Sequence, residues 1–347
     1  MSGQNYLGLR GIEFVEFASP DPESLHKLFL EFGFSRIAKH KTKNIDYYKQ
    51  NDIHFFINRE MGSFGDNFKS KHGPSISSMG WRMDDARKAQ SLAVERGAKK
   101  GPSDYSNDKG EIPSIYGIGD SLIYFIEDFS DQERYAKMGF VPLENPDLGV
   151  NKGFIAIDHL TNNVYKGEMS KWCDFYKGIF GFTEVRYFDI RGAKTGLTSF
   201  ALQSPDRSFC IPINEGTEAK SQINEYLDEY KGPGVQHLAF ITHDIVASLK
   251  KLEGSPIETL DIDDEYYAEV FDRVPNVTEN HKDLQKHQIL IDGDDRGYLL
   301  QIFTKNIIGP IFVEIIQRKN NFAFGEGNFG ALFRSIERDQ QRRGYLS

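Results

Sequence analysis

The 347-residue chain contains only two cysteines, Cys173 and Cys210, and they show no paired spacing. This scarcity excludes a disulfide framework and a cysteine-rich structural zinc site. Long apolar runs are missing as well. The most apolar stretch, residues 307–316, is interrupted by a glycine, a proline and Glu314, whereas a membrane-spanning helix needs roughly 20 apolar residues. We therefore expect no membrane partner.

Basic residues are fewer than acidic residues. The chain has 42 Lys and Arg and 51 Asp and Glu, which gives a formal net charge of −9. This balance argues against nucleic acid as a partner. The first six residues lack a basic region followed by an apolar run, so we expect no signal peptide. Unpaired thiols are typical of the cytoplasm, which is the predicted location. Aromatic residues make up 13% of the chain, which is too many for a disordered protein.

The sequence contains an internal duplication. Residues 24–34 and 169–182 both place apolar side chains at helical spacing, and both end in Phe-Gly-Phe. A second pair of helices is predicted to begin after Asp85 and after Asp244, each following a Gly-Pro pair by the same number of residues. Asp is a favourable N-cap residue. Because periodic repeats mark tandem units of structure, the chain reads as two similar halves.

The pattern around these helices predicts the fold class. Alternating runs such as residues 11–17 and 154–159 read as strands, and residues 328–343 read as a terminal helix. The turn-rich stretch 142–147 is interpreted as the loop between the halves, and residues 258–286 as an insertion over one sheet. We predict an α+β protein of two tandem modules, 1–150 and 151–347. Each module is a pair of βαβββ units forming a curved, half-open β-barrel, with a C-terminal helix after the second.

Three residues of the second half have the chemistry of a metal site. His159 and His237 lie on predicted strands, and Glu314 lies in an apolar run where an unpaired carboxylate would be costly. Two imidazoles and one carboxylate form the facial triad of non-haem Fe(II) oxygenases. A single strand histidine is more often structural, but three at matching positions favour a site. In the first half Phe14 and Ser78 occupy the corresponding places, so we expect that half to be metal-free and one metal per chain.

Motifs typical of other enzyme classes are absent from the sequence or are better explained by a structural role. There is no His-Glu-x-x-His and no nucleophile elbow, which argues against a zinc protease and a serine hydrolase. Residues 325–330 match G-x-G-x-x-G, but no second strand and acidic ribose partner follow. We interpret these glycines as a tight turn before the last helix.

Five segments in the same order, 157–164, 234–239, 301–305, 312–318 and 325–329, resemble the 4-hydroxyphenylpyruvate dioxygenase family. The resemblance is with tandem vicinal-oxygen-chelate modules and covers essentially the whole chain. It implies conversion of 4-hydroxyphenylpyruvate and O2 to homogentisate and CO2, a step of tyrosine catabolism. It also implies one Fe(II) per chain, held by His159, His237 and Glu314, and a homo-oligomer, either a dimer or a tetramer.

The resemblance further implies a set of pocket residues. Those expected to take part in catalysis are Gln236, Gln301, Phe324, Asn328 and Phe329. Those expected to bind substrate are Ser199, Asn214, Gln222, Phe303, Phe312 and Leu332. A flat phenol ring suits stacking against phenylalanines, and the polar members can bond its hydroxyl.

Two alternatives stay open at this point. Hydroxymandelate synthase resembles the family in substrate, iron and triad, but it hydroxylates the benzylic carbon, and the bulky Phe324 and Phe329 favour the ring-attacking enzyme. A non-enzymatic ligand-binding protein of the same fold would lack a full metal triad, whereas this chain has one.

Overall fold

The computed structural model describes residues 3–346 of the chain. Its first half contains ten strands and four helices among the described residues: β1 (Leu9–Ala18), α1 (Pro22–Glu31), β2 (Ser35–His40), β3 (Ile45–Gln50), β4 (Ile53–Asn58), α2 (Phe64–His72), β5 (Ser75–Met83), α3 (Ala86–Glu95), β6 (Ser106–Asn107), β7 (Gly110–Glu111), β8 (Ser114–Tyr116), β9 (Leu122–Ile126), α4 (Arg134–Lys137) and β10 (Phe140–Asp147).

The second half repeats much of this order, with an insertion before its last three strands. Its described elements are β11 (Phe154–Val164), α5 (Met169–Phe175) with a π-helical turn (Tyr176–Phe180), β12 (Thr183–Arg191), β13 (Gly196–Gln203), β14 (Cys210–Gly216), α6 (Gln222–Tyr230), β15 (Gly234–Thr242), α7 (Ile245–Leu252), α8 (Asp264–Arg273), α9 (His281–Lys286), β16 (Leu290–Asp294), β17 (Gly297–Phe303), β18 (Phe312–Lys319) and α10 (Phe329–Arg342).

Each half forms an eight-stranded sheet with the same central topology. The first sheet has the order β10-β2-β3-β4-β1-β5-β9-β8, and the second has the order β12-β13-β14-β11-β15-β18-β17-β16. Strand β1 of the first sheet pairs in parallel with β4 and antiparallel with β5, which in turn pairs in parallel with β9. Strand β11 of the second sheet pairs in the same way with β14 and β15, and β15 pairs in parallel with β18. The α+β class, the duplication and the terminal helix predicted from the sequence are therefore confirmed.

The helix boundaries follow the local chemistry of the sequence. Asp85 and Asp244 accept hydrogen bonds from the backbone N–H three residues later, each at 2.9 Å, and so cap α3 and α7 as predicted. Gly33 and Gly181 end the first helix of each half with φ of +87° and +85°. Other residues adopt this left-handed backbone only at a cost, so the two Phe-Gly-Phe repeats end both helices in the same way.

The interpretation of residues 142–147 as a loop is wrong. They belong to β10, which pairs antiparallel with β2, with Phe140 opposite His40 and Pro142 opposite Ala38. Without β10, strand β2 would present an unpaired edge, and an added strand satisfies that edge. Proline is tolerated there because an edge strand leaves one row of N–H groups unused. The connection between the two sheets is instead residues 148–153.

The two halves pack against each other through buried aromatic rings. Trp81 of the first half is fully buried, and its ring centroid lies 4.8 Å from that of Phe180 in the second half. On the other side Phe32 meets Phe240, with centroids 6.1 Å apart. These contacts form one continuous apolar core across both sheets. The two modules therefore support each other's position. Among residues 3–346, each helix is too short or too polar to cross a membrane.

Candidate metal centre and substrate cavity

Strand register brings the three predicted ligands to one face of the second sheet. His159 of β11 lies opposite Ala239 of β15, and Ala239 lies beside Glu314 of β18. Paired residues point to the same face of a sheet, and so do residues two apart along a strand. His237 is two residues from Ala239, so all three side chains converge.

The ligand atoms lie close enough to share one ion. His159 Nε2 is 3.0 Å from Glu314 Oε2, and His237 Nε2 is 3.5 Å from the same oxygen. One ligand atom from each of the three residues falls within 4.8 Å of the other two, and all three residues are buried. Neighbouring ligands of an octahedral ion at about 2.1 Å lie about 3 Å apart, so the geometry fits a divalent metal.

The first sheet shows what the same positions look like with other side chains. Phe14 lies opposite Gly80, which pairs with Tyr124, and Ser78 is two residues from Gly80. The predicted equivalence of Phe14 with His159, and of Ser78 with His237, is confirmed. A phenyl ring, a hydroxyl and a phenol thus replace two imidazoles and a carboxylate. The donor set is a property of the second module.

The electrostatics of the triad favour a cation at its centre. Burial alone would raise the pKa of Glu314, but the two imidazoles beside it lower the value to about 2. Burial opposes a charge on His159, yet Glu314 and Asp158 raise its pKa to about 9. For His237 burial dominates and lowers the pKa. The buried carboxylate therefore stays ionised and needs a positive partner, which a proton on His159 or a metal ion can provide.

Gln236 reaches the site because β15 is bulged. In a regular strand its side chain would face away from His237. Here Thr161 pairs with His237 and Asn162 pairs with Val235, so Gln236 is an extra residue on its strand. Such a bulge breaks the alternation of faces. Gln236 is 4% exposed. Its Oε1 lies 3.2 Å from Nδ1 of His237 and accepts a hydrogen bond from it, which leaves Nε2 of His237 to bind a metal.

A cavity of about 1080 Å³, mouth included, opens beside the triad. Of the site residues predicted from the sequence, every one except Asn328 lines it. Besides the three ligands these residues are Ser199, Asn214, Gln222, Gln236, Gln301, Phe303, Phe312, Phe324, Phe329 and Leu332. Together with the three ligands they come from six strands, helix α6, the turn before α10 and α10 itself. The structure thus brings together residues separated by up to 173 positions in the chain.

One wall of the cavity is polar. Ser199 and Asn214 lie opposite each other on β13 and β14, and Gln222 is the first residue of α6. On another wall, Gln301 is 1% exposed, and its Oε1 has no hydrogen-bond partner among residues 3–346. A buried carbonyl oxygen without a partner is costly, so it is suited to accept from a ligand. These groups are neutral amides and a hydroxyl, which match a neutral polar substituent.

Aromatic rings surround the metal site. Phe312 stacks on His237, with centroids 4.7 Å apart and planes 18° apart, and Phe324 meets the ring of His159 edge-on at 5.8 Å. Phe188 was not predicted from the sequence, yet it lies 6.0 Å from Phe324 and 5.3 Å from Phe329 between ring centroids. The missed signal is the alternation on β12, where Phe188 and Ile190 share the face that lines the cavity.

Asn328 is the one predicted residue that lies outside the cavity wall. It is fully buried, and its Oδ1 accepts hydrogen bonds from the Tyr266 hydroxyl at 2.6 Å and from Arg273 at 3.2 Å. Both donors belong to α8 in the inserted segment. Asn328 therefore ties the start of α10 to the insertion, and its part in catalysis stays a prediction.

The glycine motif before α10 makes a tight turn, as predicted. Gly325 has a φ of +80°, and a Cβ placed on it would lie 2.1 Å from Gln301 Oε1. A Cβ on Gly327 would lie 1.7 Å from Arg273 Nη1. A side chain at Gly325 would force either Gln301 or the turn itself to move. The glycines thus allow the backbone to pass directly behind a pocket residue.

Helix α10 closes one side of the cavity. Its Glu337 accepts hydrogen bonds from the backbone N–H and the hydroxyl of Thr195, at 2.9 and 3.1 Å. Near its end Arg343 forms an ion pair with Glu225 of α6, and both residues line the cavity. Hydrogen bonds and an ion pair therefore hold the helix to the loop that contains Thr195 and to α6. The inner face of the helix contributes Phe329 and Leu332 to the cavity wall.

Comparison with known proteins agrees with this site. Residues 4–141 match the family described as hydroxyphenylpyruvate dioxygenase, N-terminal, and residues 156–289 match the glyoxalase/bleomycin resistance protein/dioxygenase superfamily. Protein MelA from Shewanella colwelliana is 61% identical over 346 residues, which are 99% of each chain. A 4-hydroxyphenylpyruvate dioxygenase from Legionella pneumophila is 44% identical, covering 100% of this chain and 99% of its own. The chain belongs to the 4-hydroxyphenylpyruvate dioxygenase family.

A solved structure shares the architecture of the family. A variant of 4-hydroxymandelate synthase from Streptomyces coelicolor superposes with a TM-score of 0.82, covering 96% of this chain and 100% of its own. At 22% sequence identity this likeness shows the fold alone. The 4-hydroxyphenylpyruvate dioxygenase family is therefore assigned from the full-length relatives, and the triad is a candidate metal site.

Proposed function

We propose that this protein is a 4-hydroxyphenylpyruvate dioxygenase, converting 4-hydroxyphenylpyruvate and O2 to homogentisate and CO2 in tyrosine catabolism. The observation that carries the proposal is the buried convergence of His159, His237 and Glu314 beside a cavity with both aromatic and neutral polar walls. Full-length identity to proteins named for this activity supports it. The activity needs no second organic co-substrate, because the substrate is itself a 2-oxo acid.

The metal we assign to the triad is Fe(II), one per chain. Two imidazole nitrogens and one carboxylate oxygen are the donor set of non-haem ferrous oxygenases. When bound, the iron would supply open coordination positions for a 2-oxo acid and dioxygen and the redox chemistry that joins them. The protein's part is to keep Glu314 ionised and to hold the three ligand atoms in place.

The substrate is oriented by the two kinds of wall. Its anionic 2-oxo acid end faces the triad, where a bound metal ion would supply positive charge. Its ring packs among Phe303, Phe324 and Phe329, which offer flat or edge-on apolar contacts. Its hydroxyl reaches the neutral wall of Ser199 and Asn214, with Gln222 at the start of α6. Because these groups are uncharged, the wall suits a phenol better than a carboxylate.

Other residues position the ring and keep water out. Gln301 contributes a neutral amide to the cavity wall, and Gln236 fixes His237 through Nδ1. Leu332 and Phe329 present the apolar face of α10 to the cavity. A dry cavity strengthens polar contacts and prevents side reactions of reactive species. Helix α10 therefore acts as a wall that limits the entry of water.

The deciding experiment is product analysis. Protein purified without oxygen, loaded with Fe(II) and exposed to air should convert 4-hydroxyphenylpyruvate to homogentisate. Formation of 4-hydroxymandelate would instead assign the protein to the benzylic hydroxylation reaction. Absence of turnover together with less than one iron per chain would favour a non-enzymatic binding protein. Metal content and product should be measured on the same preparation, so that an empty site is distinguished from an inactive one.

We also propose a division of labour between the two halves. Residues 1–150 form a metal-free module that supports the second by packing, and residues 151–347 form the catalytic iron module with its terminal helix. The assembly is a homo-oligomer, dimer or tetramer, in the cytoplasm. Sedimentation of the full-length protein tests the assembly, and a monomer at micromolar concentration would contradict it.

A further inference from the structure

A largely buried ion pair lies directly behind one of the proposed metal ligands. Arg318 donates from Nε and Nη2 to the two carboxylate oxygens of Asp158, both at 2.8 Å. The Oδ2 atom of Asp158 also accepts from His159 Nδ1 at 2.7 Å. The side chains of Arg318 and Asp158 are 10% and 14% exposed. A continuous chain of charge-assisted hydrogen bonds therefore runs from a guanidinium to the imidazole that faces the metal.

Asp158 can reach its neighbour because β11 is bulged at this point. Ile157 pairs with Phe240 and His159 pairs with Ala239, so Asp158 is an extra residue on its strand. In a regular strand, adjacent side chains point to opposite faces. The bulge turns the carboxylate toward the ring of the next residue instead.

The first module contains the same bulge with a different neighbour. Ile12 pairs with Trp81 and Phe14 pairs with Gly80, which makes Glu13 the extra residue. Its carboxylate accepts from Arg82 at 2.6 Å and from Arg134. Both modules therefore hold an acid at this bulge with arginine, although Arg82 lies on β5 and Arg318 on β18, which are not equivalent strands. In the second module the residue after the acid is a histidine, so the acid also accepts a hydrogen bond from an imidazole that faces the metal site.

Arg318 is itself fixed by the loop that follows β18. Its Nη1 donates to the carbonyl oxygens of Ala323 at 2.7 Å and Asn321 at 3.2 Å. With donors on both edges engaged, the guanidinium plane cannot rotate, and the carboxylate of Asp158 is held in that plane. A lysine at the same position would supply the charge but not the bidentate geometry.

We propose that Arg318 is a positioning residue of the metal centre, which orients His159 through Asp158. An imidazole whose Nδ1–H donates to a fixed carboxylate keeps its proton on Nδ1 and presents a more basic Nε2 to the metal. The inference rests on the proposed metal site, but it does not depend on which substrate is used. It distinguishes the acid–arginine pair of the second module from the purely structural pair of the first.

The test measures Co(II) binding to the metal-free protein in the absence of substrate, by chelator competition and by the visible absorption of bound Co(II). We expect Arg318→Lys and Asp158→Asn each to weaken Co(II) binding by about 10- to 100-fold and to change the absorption spectrum. The double variant should lose no more Co(II) affinity than the single variant with the larger loss, because both substitutions act on the same hydrogen bond. Arg82→Lys is the matched control. It should lower thermal stability while leaving Co(II) affinity and the spectrum unchanged.

The outcomes separate this inference from the proposed function. If the wild-type protein fails to bind Co(II) at all, the metal site itself is wrong. If the wild type binds and Arg318→Lys binds equally well with an unchanged spectrum, the positioning role is refuted while the metal site stands. Equal loss in Arg82→Lys and Arg318→Lys would also refute it, because a general loss of stability would then explain both. Should Arg318→Lys fold poorly, Asp158→Asn decides the matter in the same way.

Discussion

Replacing Gly325 with alanine should impair catalysis far more than it impairs stability. The backbone there has a φ of +80°, so any residue with a Cβ incurs a cost of about 1–2 kcal/mol. In addition, the new Cβ would lie 2.1 Å from Gln301 Oε1, where ordinary van der Waals contact begins near 3.4 Å. Gln301 or the turn must therefore move by more than 1 Å, and a displacement of that size in a positioning group can cost about 100-fold in rate.

Gly254 provides a matched control for this substitution. Its φ is +81°, almost the same as that of Gly325, but a Cβ on it meets nothing within 4 Å. Gly254→Ala should therefore carry the same backbone cost and lower the melting temperature by a few degrees, with kcat/KM unchanged. Gly325→Ala should show a similar or somewhat larger loss of melting temperature, together with a loss of about 100-fold in kcat/KM for homogentisate formation. Equal activity of the two variants would show that the placement of Gln301 does not matter for turnover.

Three further predictions follow from the same structure. Alanine at His159, His237 or Glu314 should abolish turnover and metal binding while leaving the circular dichroism spectrum largely unchanged, and retained activity in any of them would contradict the ligand assignment. Deletion of the chain after Gly330 should lower the ratio of homogentisate formed to O2 consumed, because the wall provided by α10 is lost; an unchanged ratio would exclude α10 as a barrier to water. Burial lowers the pKa of His72, which meets the Tyr230 carbonyl of the other module at 2.6 Å, below its ordinary value. Because its unfolded pKa of about 6.5 is then the higher one, its contribution to stability is present above that pH and is lost as the pH falls. Substituting His72 with glutamine should flatten the dependence of unfolding free energy on pH below 6.5, and an unchanged slope would contradict this.

The convergence of His159, His237 and Glu314 could be predicted because their pattern is visible in the sequence and their chemistry is unusual. A carboxylate inside the apolar run that contains Glu314 requires a partner, and His159 and His237 lie at corresponding positions of repeated strands. The duplication itself supplied the control, since Phe14 and Ser78 stand where the histidines would be. Strand register then placed all of them as expected. Hydrophobic periodicity and a carboxylate within an apolar run are features of the sequence, so both can be recognised without the structure.

The features that escaped prediction depend on tertiary pairing. The bulge that turns Gln236 into the cavity arises from the register between β11 and β15, and no local pattern marks it. Residues 142–147 contain turn-forming residues, yet they pair with β2 because that edge is available. Phe188 lines the cavity only because β12 lies next to the turn that carries Phe324. In each case a contact between distant segments decides the outcome.

We propose that the side chains of His159, His237 and Glu314 hold a single ferrous ion next to the aromatic cavity. Crystals grown without oxygen in the presence of Fe(II), with diffraction recorded on both sides of the iron absorption edge, test it directly. We expect one anomalous peak per chain, within bonding distance of both Nε2 atoms and of the Glu314 carboxylate. A fully loaded crystal without a peak there, or with its iron bound by other residues, would contradict it.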